Sequence, residues 1–160
     1  MSIRNLDHLL EPASVAVFGA SPRTGSVGAT VLRNLRAAGF AGPIYPVNPK
    51  YREIDGLRAY AQAAELPAAP DLAVICTPAR TVPALIGEIG AAGTRAAVVL
   101  TAGLGPALTQ QMLDAARPHL LRVLGPNCIG LMTPRLGLNA SFAHTHALRG
   151  ELAFRSRVRC

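Results

Sequence analysis

Tryptophan is absent from this 160-residue chain, and aromatic side chains make up only 4% of it. Proteins that hold single-stranded nucleic acid stack its bases on aromatic platforms, so the net charge of +7 does not argue for that class. Lysine is reduced to Lys50 alone, the other 15 basic residues all being arginine. Cysteine is limited to Cys76, Cys128 and Cys160, with no CxxC or Cys/His spacing. That excludes a zinc motif, and an odd count of widely spaced thiols does not suggest a secreted disulfide framework. Long apolar runs are missing too: none approaches 18 residues, and Arg4, Asp7, His8 and Glu11 break up the N-terminus. Neither a membrane span nor a signal-peptide core is therefore expected, and a cytoplasmic protein with no nucleic-acid or membrane partner is.

Half the residues are apolar and only 16% are charged, which excludes disorder and suits one domain with a sizeable core. Part of the basicity belongs to the end of the chain. Arg149, Arg155, Arg157 and Arg159 against Glu151 give +3, leaving +4 for the rest, which a small phosphorylated ligand accounts for as well as a polyanion does. The chain divides into a helical lead-in (1–12) closed by Pro12, a main domain (13–150) and an atypical Arg-rich tail (151–160).

Short apolar runs near 14–19, 43–47, 72–76, 96–100 and 122–124 read as buried strands. Helical patterns near 27–38, 58–65, 82–92 and 108–119 separate them. Five such strands alternating with helices predict a Rossmann-like, doubly wound parallel α/β sheet. Right-handed crossovers then gather the loops after each strand at the carboxyl edge, where such sheets bind ligands.

The first of those loops is the focus of the sequence. After the run Val15-Ala-Val-Phe18 come Gly19, Ser21, Thr24, Gly25, Ser26, Val27 and Gly28, leading into a helix. Glycines admit close backbone approach and positive φ, and the free N–H groups at the start of the helix face an anion, so the stretch reads as a phosphate cradle. Its Gly-x5-Gly-x2-Gly spacing is neither the dinucleotide G-x-G-x-x-G nor a P-loop, and the alternative is a βα turn that binds nothing.

The second strand leads to Asn48-Pro49-Lys50, where NAD-binding domains usually place an acid for the ribose hydroxyls. A cation there implies an extra ribose phosphate, as in NADP or coenzyme A; the alternative is a solvated surface lysine. Thr77-Pro78 and Thr101-Ala102-Gly103 end the third and fourth strands and offer hydroxyl and backbone groups to a ligand, or else cap the helices beyond them. Asn127, after Gly125-Pro126, suits a tight turn and can hydrogen-bond an amide. Cys128 reads as a small buried residue, since no base is placed beside it. His144 and His146 lack a third ligand, and no catalytic histidine is assigned.

Taken together, AVFGASPRTGSVG (16–28), PIYPVNPKYREIDGL (43–57), LAVICTPA (72–79), VVLTAG (98–103) and LGPNCIGL (124–131) resemble the CoA-binding domain of NDP-forming acyl-CoA synthetases. That family includes ADP-forming acetyl-CoA synthetases, the succinyl-CoA synthetase alpha subunit and a domain fused to GNAT-type protein acetyltransferases. The resemblance implies that Thr24, Gly25, Ser26 and Val27 wrap the pyrophosphate of coenzyme A. It also implies that Lys50 meets the ribose 3′-phosphate, that Leu100, Thr101 and Ala102 line the ligand's path, and that Asn127 lies near its reactive end. It decides between coenzyme A and NADP, which the residues alone left open.

Two departures stand out. Relatives often carry an acid soon after Thr-Ala-Gly, where this chain has Leu104-Gly105-Pro106. Relatives also continue from Gly-x-Leu-Ala into a second domain, whereas Phe154 here is followed by Arg155-Ser-Arg-Val-Arg-Cys160, an end expected to reflect truncation or a frameshift. In that family acyl transfer runs through a phosphohistidine domain and an ATP-grasp region, and 160 residues hold neither. The chain is thus expected to bind coenzyme A without ligating it, a separate ligase or ATP-grasp subunit supplying the rest.

Overall fold

The structure is a computed structural model that describes residues 3–150. The expected tail at 151–160 lies outside the described residues. Five strands, β1 (Val15–Phe18), β2 (Ile44–Val47), β5 (Leu72–Ile75), β6 (Ala96–Val99) and β7 (Arg122–Leu124), form one parallel sheet in the order β2-β1-β5-β6-β7. The chain runs outward from β1 to β2, then crosses back to β5 and continues the other way. β1 and β5 are therefore the switch point, the pair over which such sheets open a crevice.

The three central strands, β1, β5 and β6, are apolar and buried throughout because both faces are covered, while the edge strands β2 and β7 are half-buried in part and β7 begins with Arg122. On one face Val15, Val17, Leu72, Val74 and Val98 meet Val31, Leu32 and Leu35 of α2 (Val27–Ala37). Residues one step along each strand, Ala16, Phe18, Ile75 and Val99, meet Ile86 of α3 (Val82–Ala91) and Met112 of α4 (Pro106–Ala116) on the other. Period-two alternation thus feeds two cores from one set of strands. A short α1 (Leu6–Leu10) buries Leu9 against the α2 side. It is held by His8 Nδ1 and Asp71 Oδ1 at 3.2 Å, while Ala13 N–H donates to Asp71 Oδ2 at 2.8 Å.

The structure corrects the helix expected over 58–65. That region begins as a two-stranded hairpin, β3 (Glu53–Ile54) with β4 (Leu57–Arg58), turning at Asp55 and Gly56, whose φ values are 51° and 76°. Two consecutive positive φ angles define the tight hairpin turn for which Asp-Gly is a strong signal. Tyr60 then pairs beside Val47, its N–H donating to Pro46 O at 3.0 Å, and only Ala63–Glu65 forms a single 3-10 turn. The expected helix over 108–119 begins two residues earlier, at Pro106, and its last turn tightens to 3-10 over Arg117–His119.

A second hairpin that the sequence pattern does not announce, β8 (Gly130–Thr133) with β9 (Leu138–Ser141), folds back so that β9 packs against α2. Buried Asn34 on α2 donates from Nδ2 to Ser141 O at 2.9 Å and Ala143 O at 3.0 Å, pinning the segment just beyond β9.

Candidate functional site

Each strand of the sheet delivers one loop to the carboxyl edge, and neighbouring loops are joined in series. Gly19 N–H donates to Val47 O at 2.9 Å, and Asn48 Nδ2 donates to Ala20 O at 2.7 Å, tying the β1 loop to the β2 loop. Cys76 N–H donates to Phe18 O at 2.8 Å across the switch point. Thr101 Oγ1 donates to Thr77 O at 2.8 Å, linking the β6 loop to the β5 loop, and Asn127 N–H donates to Thr101 O at 3.1 Å from the loop after β7. Loops bonded side by side in this way hold their shape before a ligand arrives, which lowers the ordering cost of binding.

The three glycines of the first loop serve different ends. A Cβ on Gly28 would lie 2.1 Å from Gly19 O, so the start of α2 rests directly on the end of β1. Gly19, at φ +84°, approaches Cys76 so closely that a Cβ would sit 2.9 Å from its carbonyl carbon. Gly25 has φ +83° with open space around it, the arrangement of a loop that faces solvent or a ligand rather than the core. Ser26 caps α2, its Oγ accepting from Ala29 N–H at 3.3 Å. That leaves the N–H groups of Val27 and Gly28 as first-turn donors beside exposed Thr24 and Gly25.

At the end of β2, Asn48 takes a part that its sequence position alone does not reveal. It reaches one way to Ala20 O, and its Oδ1 accepts from Lys50 N–H at 3.0 Å, an Asx turn that sets the backbone of the lysine. Its own N–H donates to Tyr60 O at 2.8 Å. The signal for it was present, since Asn before Pro is a turn former. Lys50 is exposed, and among the described residues no carboxylate holds its Nζ.

Thr77 and Thr101 do not cap helices: α3 is capped at Thr81 and α4 at Gly105. Thr81 Oγ1 instead lies 3.0 Å from Thr77 Oγ1 and donates to Pro78 O at 2.7 Å. Ala102 and Pro78 are exposed at the rim or close to it. Leu100, expected to line the ligand's path, is 5% exposed and packs in the α2-side core, its N–H donating to Ile75 O at 3.0 Å. Ser21 orders the first loop, its Oγ accepting from Arg23 N–H at 3.1 Å.

Asn127, at φ 54°, completes the turn after Gly125, whose Cβ would fall 2.4 Å from Val99 O. Burial pushes the Cys76 thiol up to about 12, with Cys128 adding to the rise, and burial likewise raises Cys128, whose Sγ lies 3.5 Å from Val99 O. Thiols held protonated in this way are poor nucleophiles. His146 pairs with Asn139 Nδ2 at 2.9 Å, and no cluster of three metal-ligating side chains occurs among the described residues.

A parallel sheet that brings a glycine-rich loop at its switch point and a lysine after its second strand to one edge has the arrangement in which such sheets take nucleotides. The pattern of the CoA binding domain family matches residues 13–134, and the chain belongs to that family. It is 38% identical to an ADP-forming acetate–CoA ligase I of Archaeoglobus fulgidus, over 95% of this chain and 23% of the relative. It is 37% identical to the alpha subunit of ADP-forming acetate–CoA ligase I of Pyrococcus furiosus, over 96% of this chain and 35% of that subunit. The solved acetyl-coenzyme A synthetase 1 of Ca. Korarchaeum cryptofilum, in complex with phosphate and ADP, superposes with a TM-score of 0.82 at 38% identity. That match covers 86% of this chain and 30% of the synthetase. The chain thus spans about a quarter to a third of the relatives it matches.

Among the described residues no helix is long and apolar enough to cross a membrane.

Proposed function

We propose that this chain is the coenzyme A-binding module of an ADP-forming acyl-CoA synthetase. The observation that carries the reading is the turn at the end of β2, where Asn48 bonds both the first loop and the backbone of Lys50. That turn fixes a lysine beside a cradle whose free N–H groups and positive helix end favour phosphate. Coenzyme A fits both ends. Its pyrophosphate would meet Thr24, Gly25, Ser26 and Val27, and its ribose 3′-phosphate Lys50, with Gly19 and Gly28 setting the backbone beneath.

Thr77, Pro78, Thr101 and Ala102 would flank the pantetheine, with Asn127 toward the thiol. Coenzyme A here is a substrate delivered to a reaction, and the chain positions it. No catalytic group is assigned to these residues. Acid activation and acyl transfer fall to other domains of the same assembly, or to a partner subunit. A protein acetyltransferase could carry the same module, distinguished by the kind of domain joined to it.

Competition with two nucleotides tests the assignment against an NADP-binding one. 3′,5′-ADP displaces a fluorescent coenzyme A from the purified chain at lower concentration than 2′,5′-ADP does; the reverse order would assign the site to NADP. The purified chain alone, given acetate, ATP and coenzyme A, forms no acetyl-CoA, and turnover by it would contradict the positioning role.

A further inference from the structure

Six described cations, Arg23, Arg33, Lys50, Arg52, Arg80 and Arg95, have no side-chain hydrogen-bond, ion-pair or ring partner among the described residues. Arg36, Arg58, Arg117, Arg122, Arg135 and Arg149 bind carbonyls, carboxylates or a tyrosine ring, and Arg4 is engaged as well. Four of the six, Arg23, Lys50, Arg52 and Arg80, stand in the segments after β1, β2 and β5. Those segments and the loops after β6 and β7 (19–26, 48–52, 76–81, 100–105 and 125–129) contain no aspartate or glutamate at all. Unpaired cations gathered where no acid competes focus a positive potential on one edge.

Arg80 is the one set most firmly. It sits in the 3-10 turn Ala79–Thr81, directly after the switch-point strand β5. Thr81 N–H donates to Pro78 O at 2.9 Å, and Thr81 Oγ1 bonds both Pro78 O and Thr77 Oγ1. Thr101 Oγ1 holds Thr77 O from the next loop. Across the crevice Cys76 and Gly19 are in backbone contact, so the wall bearing Arg80 is fixed against the wall bearing the cradle.

The geometry points to Arg80 as a second cation for the ligand after Lys50, set at the diphosphate, approaching from the β5 wall while the start of α2 approaches from the β1 wall. This rests on the coenzyme A reading. It divides the recognition: Lys50 reads the ribose 3′-phosphate, and Arg80 with the cradle reads the diphosphate. A guanidinium suits that part because its planar donors can bridge two phosphate oxygens, which an ammonium cannot do as well. The module therefore selects pantetheine carriers that bear a nucleoside diphosphate over those with one phosphate.

Calorimetric titration separates the two parts, using the full chain as wild type, Lys50→Ala, Arg80→Gln and Arg80→Lys against coenzyme A, dephospho-coenzyme A and 3′,5′-ADP. Arg80→Gln is expected to weaken coenzyme A and dephospho-coenzyme A by the same factor, about 10–150-fold for one charged hydrogen-bonding group, with Arg80→Lys intermediate. Lys50→Ala weakens coenzyme A and 3′,5′-ADP and leaves dephospho-coenzyme A unchanged. Thermal unfolding of the Arg80 variants matches wild type, since the side chain has no partner to lose. Binding of both coenzyme A forms by Arg80→Gln within twofold of wild type overturns the assignment. So does a loss confined to coenzyme A, which would place Arg80 at the 3′-phosphate. Failure of the wild-type chain to bind coenzyme A overturns the underlying reading instead.

Discussion

Gly28→Ala sets two effects of opposite sign against each other. Inside a helix alanine is favoured over glycine by about 1 kcal/mol. At this position the added Cβ would lie 2.1 Å from Gly19 O, 2.8 Å from Gly19 C and 3.1 Å from Ala20 Cα, all backbone atoms that cannot swing aside as a side chain could. Relief requires the start of α2 to lift by about 1 Å or more off the end of β1, and overpacking of this kind costs about 1–3 kcal/mol or more.

The same lift disturbs the core contacts of Val31, Leu32 and Leu35, each buried on the face α2 presents to the sheet. A 2.1 Å approach to backbone sets the cost at the upper end of that range, so crowding wins, and after the helix gain is subtracted the net destabilisation is about 1–2 kcal/mol, or a fall in melting temperature of about 2–8 °C for a chain of this size. Differential scanning calorimetry of wild type and variant reads it directly. A melting temperature equal to or above wild type would refute the claim that α2 rests on Gly19 with no room to spare.

Asn48→Ala removes the bonds to Ala20 O and Lys50 N–H together and is expected to cost about 1–3 kcal/mol in urea unfolding, with weaker coenzyme A binding. Asn48→Asp keeps the acceptor for Lys50 but sets a carboxylate against Ala20 O and close to the phosphates, so it should weaken coenzyme A more than alanine does; equal affinities would count against the phosphate assignment. Thr101→Val breaks the bond from Oγ1 to Thr77 O at nearly constant volume and should lower stability by about 1 kcal/mol, read by the same unfolding curve. Cys76 is raised from 9.0 to about 12 in the folded chain, so the unfolded chain loses that proton first as pH rises. Its contribution is fully present below pH 9.0, declines above it and is lost by about 12, and a wild type that loses no more stability than Cys76→Ala across that window would contradict the burial of the thiol.

The sheet was legible because its central strands are short, uncharged and covered on both faces, which leaves apolar runs such as Val15–Phe18, Leu72–Ile75 and Ala96–Val99 with no competing period. The 58–65 stretch misled for the opposite reason. Leu57–Arg58 carries little pattern in two residues, and Ala61 to Glu65 is rich in helix formers, yet Asp55-Gly56 turns the chain and Tyr60 is drawn beside Val47. Tertiary pairing overrode local propensity there, and the Asp-Gly signal was the cue. The β8–β9 hairpin was hidden because Leu138-Asn-Ala-Ser141 alternates for only four residues, and its polar members Asn139 and Ser141 are buried rather than turned to solvent.

In the site, glycines, Ser26 and Lys50 announce themselves by type and position. Asn48 shows there only as a turn former and Arg80 not at all, since the bonds from Asn48 to residues 20 and 50 and the turn that Thr81 holds around Arg80 exist only in the folded chain. Such roles depend on which loops the fold brings together.

The most direct test of the account is calorimetric titration of the purified chain with coenzyme A, as wild type and as Lys50→Ala. The account predicts micromolar binding by the wild type and a loss of about 1.5–3 kcal/mol, roughly 10–150-fold, in the variant. Equal affinity in the two proteins would show that the lysine after β2 does not read the ribose phosphate, and absence of binding in both would show that the cradle holds no coenzyme A.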